Sequence, residues 1–249
     1  MFLLLLSMML AADVHAARTL LREGKVPEAL RELETALRDH PNDPEVQYEA
    51  GELLRELGAD RAARLRQLAP NSPEAHELLG RSLESWGKLD EALAEYRAAM
   101  RDGPDVPGRH FAAGNVLWKK RDFEAARTEL ESELRLNPNH SLANLRLGEV
   151  LLSLDQPSEA AQHLRQAVAV QNSSVEAHRA LGRALRALGQ HGEALEQFRI
   201  VAAAQPNDAA IHAQLAGEYR ALGDLTRAKA ELEMQRKLLQ EKSAAAQKR

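Results

Sequence analysis

Cysteine is absent from the 249 residues, which removes disulfides, thiolate metal sites and cysteine nucleophiles together. Aromatic residues are scarce at 4%, although 44% of the chain is hydrophobic. The apolar content is therefore mostly alanine and leucine, both strong helix formers. Neither charge sign dominates: 33 Lys and Arg stand against 37 Asp and Glu, a net charge of −4. A nucleic-acid partner usually demands a basic stripe, so this balance argues against one. The charges alternate in sign, as on solvated helix faces. The one long apolar run, Phe2 to Ala12, falls short of the roughly 20 residues that cross a bilayer. Ser and Asp are scattered without a nucleophile motif.

What is present is a period. Gly80, Gly114, Gly148 and Gly182 are each 34 residues apart, and so are Ala92, Ala126, Ala160, Ala194 and Ala228. Pro104, Pro138 and Pro206 keep the same spacing, with Asn172 between the last two. Three residue series in one phase mark a repeat architecture. The windows are 73–106, 107–140, 141–174, 175–208 and 209–242. A further window fits at 10–43, with Gly24, Ala29, Leu33, Ala36 and Pro41 in phase. Between them, 44–72 keeps Gly51, Gly58 and Pro70 but is short by about five residues. Seven units are expected, one of them degenerate.

Each window reads as two helices. In 73–106 the first runs from near Pro73 to Trp86, since proline at a helix start loses no hydrogen bond. Leu79 and Leu83 share a face. Gly87 suits the left-handed position after a helix. Asp90 is placed to cap the second helix, whose apolar stripe is Leu93, Tyr96 and Met100 and which Pro104 stops. Small residues should let paired helices approach: Gly148 against Ala160 and Gly182 against Ala194. Ala160→Leu should then destabilise by about 1–3 kcal/mol through overpacking, read from a melting curve.

This pattern resembles the tetratricopeptide repeat, over about 10–242. Leu147, Gly148, Leu151, Ala160, Leu164 and Ala167 carry the signature in one window. Leu181, Gly182, Leu185, Ala194, Phe198 and Pro206 carry it in the next. The departures are Glu133 and Gln235 at a small-residue place, Ala216 for glycine and Pro157 for an aromatic. The resemblance implies an all-α, right-handed superhelical solenoid of antiparallel helix pairs. It also implies a concave groove that binds a peptide or a partner's helix. First helices line that groove, and the family's groove places fall on Glu74, Glu77, Arg81 and Glu84, then Phe111, Asn115, Trp118 and Lys119. Leu142, Leu145, Glu149 and Leu152 follow, then Arg179, Arg183, Arg186 and Arg220. The surface runs from acidic, through aromatic and aliphatic, to basic.

The candidate partner site is therefore Phe111, Asn115, Trp118, Lys119, Arg179, Arg183, Arg186 and Arg220, a surface for a ligand with apolar and acidic parts. Tryptophan and arginine are enriched at binding hot spots. The same residues have plainer roles open to them: Trp118 and Phe111 as packing between repeats, the arginines as a solvated face. Some family members clamp a chaperone's C-terminal carboxylate. Asn115 matches that arrangement, but Phe111, Arg146 and Ala180 stand where Lys, Asn and Arg are needed, so no such clamp is expected.

His76, His110, His178 and His212 occupy one place in four windows. Equivalent places lie about 10 Å apart, whereas a zinc–nitrogen bond is about 2.0 Å, so the ladder reads as duplication rather than one site. No metal, cofactor or catalytic residue is expected. Glu131 and Glu133 are read as solvated helix-surface carboxylates. Residues 1–12 resemble the apolar core of an export signal, although no Lys or Arg follows Met1. Export to a periplasm, with cleavage after Ala16 or nearer Ala12, is expected; a cytoplasmic protein whose first helix is apolar is the alternative. At the other end 243–249 is expected to fray. The leading function is a non-catalytic protein-interaction scaffold. The alternatives are a structural subunit that self-associates through its ends, or a regulatory arm of an enzyme on another chain. The oligomeric state is left open.

Overall fold

The computed structural model describes residues 14–247, except Asn42, Pro70, Asp102 and Pro104, and the side chains of 59–68, 246 and 247. The expected leader at 1–12 and the breaks at Pro70 and Pro104 therefore lie outside the described residues. Every regular element among the described residues is an α-helix. Two compact units divide between Ser82 and Leu83.

The first unit holds α1 (14–22), α2 (Val26–Asp39), α3 (Pro44–Leu68) and most of α4 (Pro73–Ser85). Its core is Val14, Ala17, Leu33, Ala36, Val46, Ala50 and Leu53. The window 44–72, expected to be a shortened helix pair, is instead the single helix α3. Gly58 lies inside it, because Ala, Leu and Arg surround it and the roughly 1 kcal/mol that glycine costs a helix is met by its neighbours.

The second unit follows the period. Its helices are α5 (Leu89–Arg101), α6 (Arg109–Lys119), α7 (Phe123–Leu136), α8 (Ser141–Ser153) and α9 (Pro157–Val170), then α10 (Val175–Ala187), α11 (His191–Ala204), α12 (Ala209–Ala221) and α13 (Leu225–Gln247). From α5 to α13 each helix packs on the next in sequence, and the first helices α6, α8 and α10 also lie side by side. This is a solenoid. Asp90 does not cap α5 as expected. The helix starts at Leu89, two residues earlier than such a cap requires, so Asp90 falls in its first turn and pairs with Lys120. At the far end α13 runs to Gln247, past the Ser243 at which fraying was expected to begin. Ala244, Ala245 and Ala246 favour the helix.

The close approach of paired helices has a different partner from the one the small residues suggest. A side chain at Gly148 would meet Leu164 Cγ at 2.4 Å, and one at Gly182 would meet Phe198 Cε1 at 2.4 Å. Gly114 faces Leu130 at 2.8 Å in the same way. The small residue thus receives a large apolar one, as a hole receives a knob. Ala160 and Ala194 are fully buried beside these contacts.

Candidate functional site

The site is built from the ends of the first helices of the second unit. Trp118 is half-buried on the last turn of α6, and the Arg146 guanidinium of α8 lies 4.2 Å from its ring centroid. Arg146 is held in turn by Glu149 at 2.7 Å. Trp118 therefore packs between successive repeats and also borders an open depression of about 430 Å3. Lys119, Arg121, Phe123, Glu149, Ser153 and Arg183 line the rest of that depression, which spans three consecutive repeats. Arg121 and Phe123 escaped the sequence reading because they belong to the turn after α6. Their signal was Arg121 itself, at a place held by Gly87, Gly189 and Gly223 in three other repeats and by Asp155 in the next.

The expected site residues divide into held and free. Glu84 accepts hydrogen bonds from Asn115 Nδ2 at 2.8 Å, Lys119 Nζ at 2.6 Å and the Tyr96 hydroxyl at 2.9 Å. The acidic start of the surface is thus neutralised by its centre. Arg179 donates to Asp208 at 2.7 Å and to Gln205 at 2.8 Å. Burial alone would raise the Asp208 carboxyl, but the Ala210 N–H and the Arg179 guanidinium hold it below its ordinary 3.8. Arg186 lies over the Phe198 ring and 3.4 Å from Glu218. Phe111 stacks its ring on His140 at 4.7 Å. Leu145 is core, while Leu142 is exposed. Among the described residues Arg183 and Arg220 are exposed and make no ion pair, and Arg121 has only the Phe123 ring, 5.8 Å away.

Glu133 corrects the expectation of a solvated carboxylate. It is fully buried and accepts from the Gly108 N–H at 2.8 and 3.0 Å and from the Phe111 N–H at 3.3 Å. The carboxylate caps α6, whose own N-cap, Gly108, has no side chain to do so. Buried Arg109 completes the junction by donating to the Ala99 and Gly103 carbonyls at 3.2 and 2.9 Å.

The histidine ladder is structural in the repeats where its contacts are described. His110 bonds Glu129 at 2.7 Å, His178 bonds Gln197 at 2.8 Å and His212 bonds Glu231 at 2.6 Å, each tying the first helix of a pair to the second. In the window between, the roles reverse and His163 bonds Asn144 at 3.0 Å. Burial pushes His163 below its ordinary 6.5. For His212, burial is outweighed by the Glu231 hydrogen bond, the Pro206 carbonyl and nearby carboxylate charge, so its imidazole is held above 6.5. No group of three or more His, Asp and Glu that could hold a metal occurs among the described residues. No described helix is long and apolar enough to cross a membrane.

A sequence profile described as "Tetratricopeptide repeat" matches residues 15–65, 59–107, 111–177, 146–213 and 179–236. The chain belongs to the tetratricopeptide repeat family. Solved structures agree in fold. The chain is 25% identical to YrrB, with a TM-score of 0.65, over 71% of this chain and 91% of that one. A MamA structure shares 18% identity at a TM-score of 0.62, over 66% of this chain and 96% of that one. MamA from Desulfovibrio magneticus RS-1 shares 23% identity at a TM-score of 0.64, over 68% and 96%. Among curated proteins no sequence matches. A tetratricopeptide solenoid is a protein-interaction scaffold, and its fold implies protein or peptide partners.

Proposed function

We propose that the chain is a non-catalytic scaffold that binds a peptide segment or partner helix along the first-helix face of its second unit. The observation that carries this is the depression of Trp118, Phe123 and Arg183, where aromatic surface adjoins an exposed guanidinium with no ion pair among the described residues. Desolvated aromatic and arginine contacts supply most of the energy of protein interfaces. YrrB is a TPR protein with an unusual peptide-binding site, which supports a peptide-binding role for a chain of this fold. The test is affinity purification with mass spectrometry. A partner captured by the wild type should be lost from Trp118→Ala combined with Arg183→Glu; undiminished capture contradicts the assignment.

A second reading, self-association, rests on Leu225, Leu232 and Leu239, exposed along α13 at seven-residue spacing. Light scattering tests it, since a mass independent of concentration opposes it. For export, the placement of Val14 and Ala17 in the first unit's core supports a cut ahead of Val14 rather than after Ala16. The N-terminal mass of the native protein tests that proposal; a mass that retains Met1 or Phe2 opposes it.

A further inference from the structure

The groove arginines and lysines differ in what already neutralises them, and that difference selects a ligand. Lys119 is committed to Glu84, Arg179 to Asp208 and Arg186 to Glu218. Within the depression the lone carboxylate, Glu149, is committed to Arg146. Two exposed guanidinium groups, Arg121 and Arg183, are left without a carboxylate among the described residues. They share the depression with Phe123 and Trp118.

Arg121 adds a second, separate observation. Its backbone lies at φ 63°, in the left-handed region. The equivalent places in other repeats are Gly24, Gly87, Gly189 and Gly223, at φ 77°, 74°, 73° and 82°, and Asp155, at φ 58°. A side chain in that region costs energy that glycine avoids. The chain tolerates the strain and gains a guanidinium at the rim of the depression. Two repeats thus keep a side chain in this conformation, and of the two it is Arg121 that lines the depression.

We infer that this depression binds an acidic peptide carrying an adjacent apolar side chain. Its carboxylates pair with Arg183 and Arg121, where planar donors allow two parallel hydrogen bonds each. Its apolar residue lies against Phe123 and the free edge of Trp118. This rests on the groove reading above and fixes where along the groove the acid falls: at Arg183 and Arg121, not at Arg179 or Arg186.

The test uses the full chain and three fluorescein-labelled ten-residue peptides read by anisotropy. One has glutamates flanking a central Leu-Phe pair. The second replaces each glutamate with lysine, and the third replaces Leu-Phe with serines. The first should bind at least tenfold more tightly than the second and measurably more tightly than the third. Arg183→Glu should weaken the first at least tenfold, while Arg179→Ala leaves it within twofold. Arg121→Gly should weaken binding and yet raise the melting temperature by about 2 °C, because the strain is gone. Equal binding of the glutamate and lysine peptides, or no binding of the glutamate peptide, overturns the inference. So does an Arg121→Gly protein that binds undiminished or melts lower. Loss of binding in Trp118→Ala with Arg183→Glu unaffected overturns the charge assignment but keeps the groove. Binding indifferent to both overturns the two together.

Discussion

The middle of the groove and its C-terminal end present the same residue type in two roles. At the end, Arg179 and Arg186 reach across to α12 and are answered by Asp208 and Glu218. They act as struts between repeats. In the middle, Arg183 stands one turn from Arg179 on the same helix and makes no ion pair among the described residues. A cation neutralised within the fold has little left to offer a partner, whereas an unanswered one beside aromatic rings does. Position on the groove face is therefore insufficient to name a binding residue; what it is already bound to decides.

The comparison can be sharpened first at the foundation of the middle region. Glu133→Ala leaves the Gly108 and Phe111 N–H groups without their acceptor in a buried junction. It should destabilise by about 2–3 kcal/mol in denaturant unfolding and loosen α6, which carries Trp118. Arg183→Glu should reduce acidic-peptide affinity at least tenfold, about 1.4 kcal/mol, with no change in melting. Arg179→Ala should do the reverse. It costs about 0.5–1 kcal/mol of stability, a partly exposed pair being worth no more, and leaves binding intact.

Glu218→Val probes the end region more finely. Glu218 is fully buried, yet its partners Arg186 and His191 are 38% and 34% exposed, and its Oε1 has no hydrogen bond. Equivalent places in other repeats hold Val116, Val150 and Ala184, all buried. Because the partners regain water, the substitution should be neutral or stabilising by up to about 1 kcal/mol in chemical denaturation. The smallest effect is a pH dependence. The folded imidazole of His212 titrates above the ordinary 6.5. Its stabilising contribution is therefore complete below about pH 6.5 and is lost as pH rises through the raised value. The melting advantage of wild type over His212→Gln should shrink from pH 6 to pH 8.

The sequence made the period legible because the repeated places are decided by packing. Gly114, Gly148 and Gly182 must admit Leu130, Leu164 and Phe198, so the spacing survives every change on the surface. The candidate groove positions were assigned from the same register. What stayed hidden was the pairing between side chains some 25 to 35 residues apart, such as Lys119 with Glu84 or Arg179 with Asp208, because it depends on side-chain rotamers rather than residue type. The burial of Glu133 was legible in principle. Its series runs Ala99, Glu133, Ala167 and Val201, all buried, and only at Gln235 in the last repeat is the place partly exposed. A carboxylate is usually solvated, and that prior prevailed over the period. The window 44–72 misled in the opposite direction: its glycines keep phase, but no turn forms around Gly58 and the helix continues.

The most direct test of the held-and-free distinction measures Arg183→Glu and Arg179→Ala side by side, each for binding to the glutamate-flanked Leu-Phe peptide and for melting temperature. The distinction predicts opposite outcomes: binding lost with stability kept for Arg183→Glu, stability reduced with binding kept for Arg179→Ala. If both variants lose binding equally, or neither does, the division of the groove into struts and contacts is contradicted.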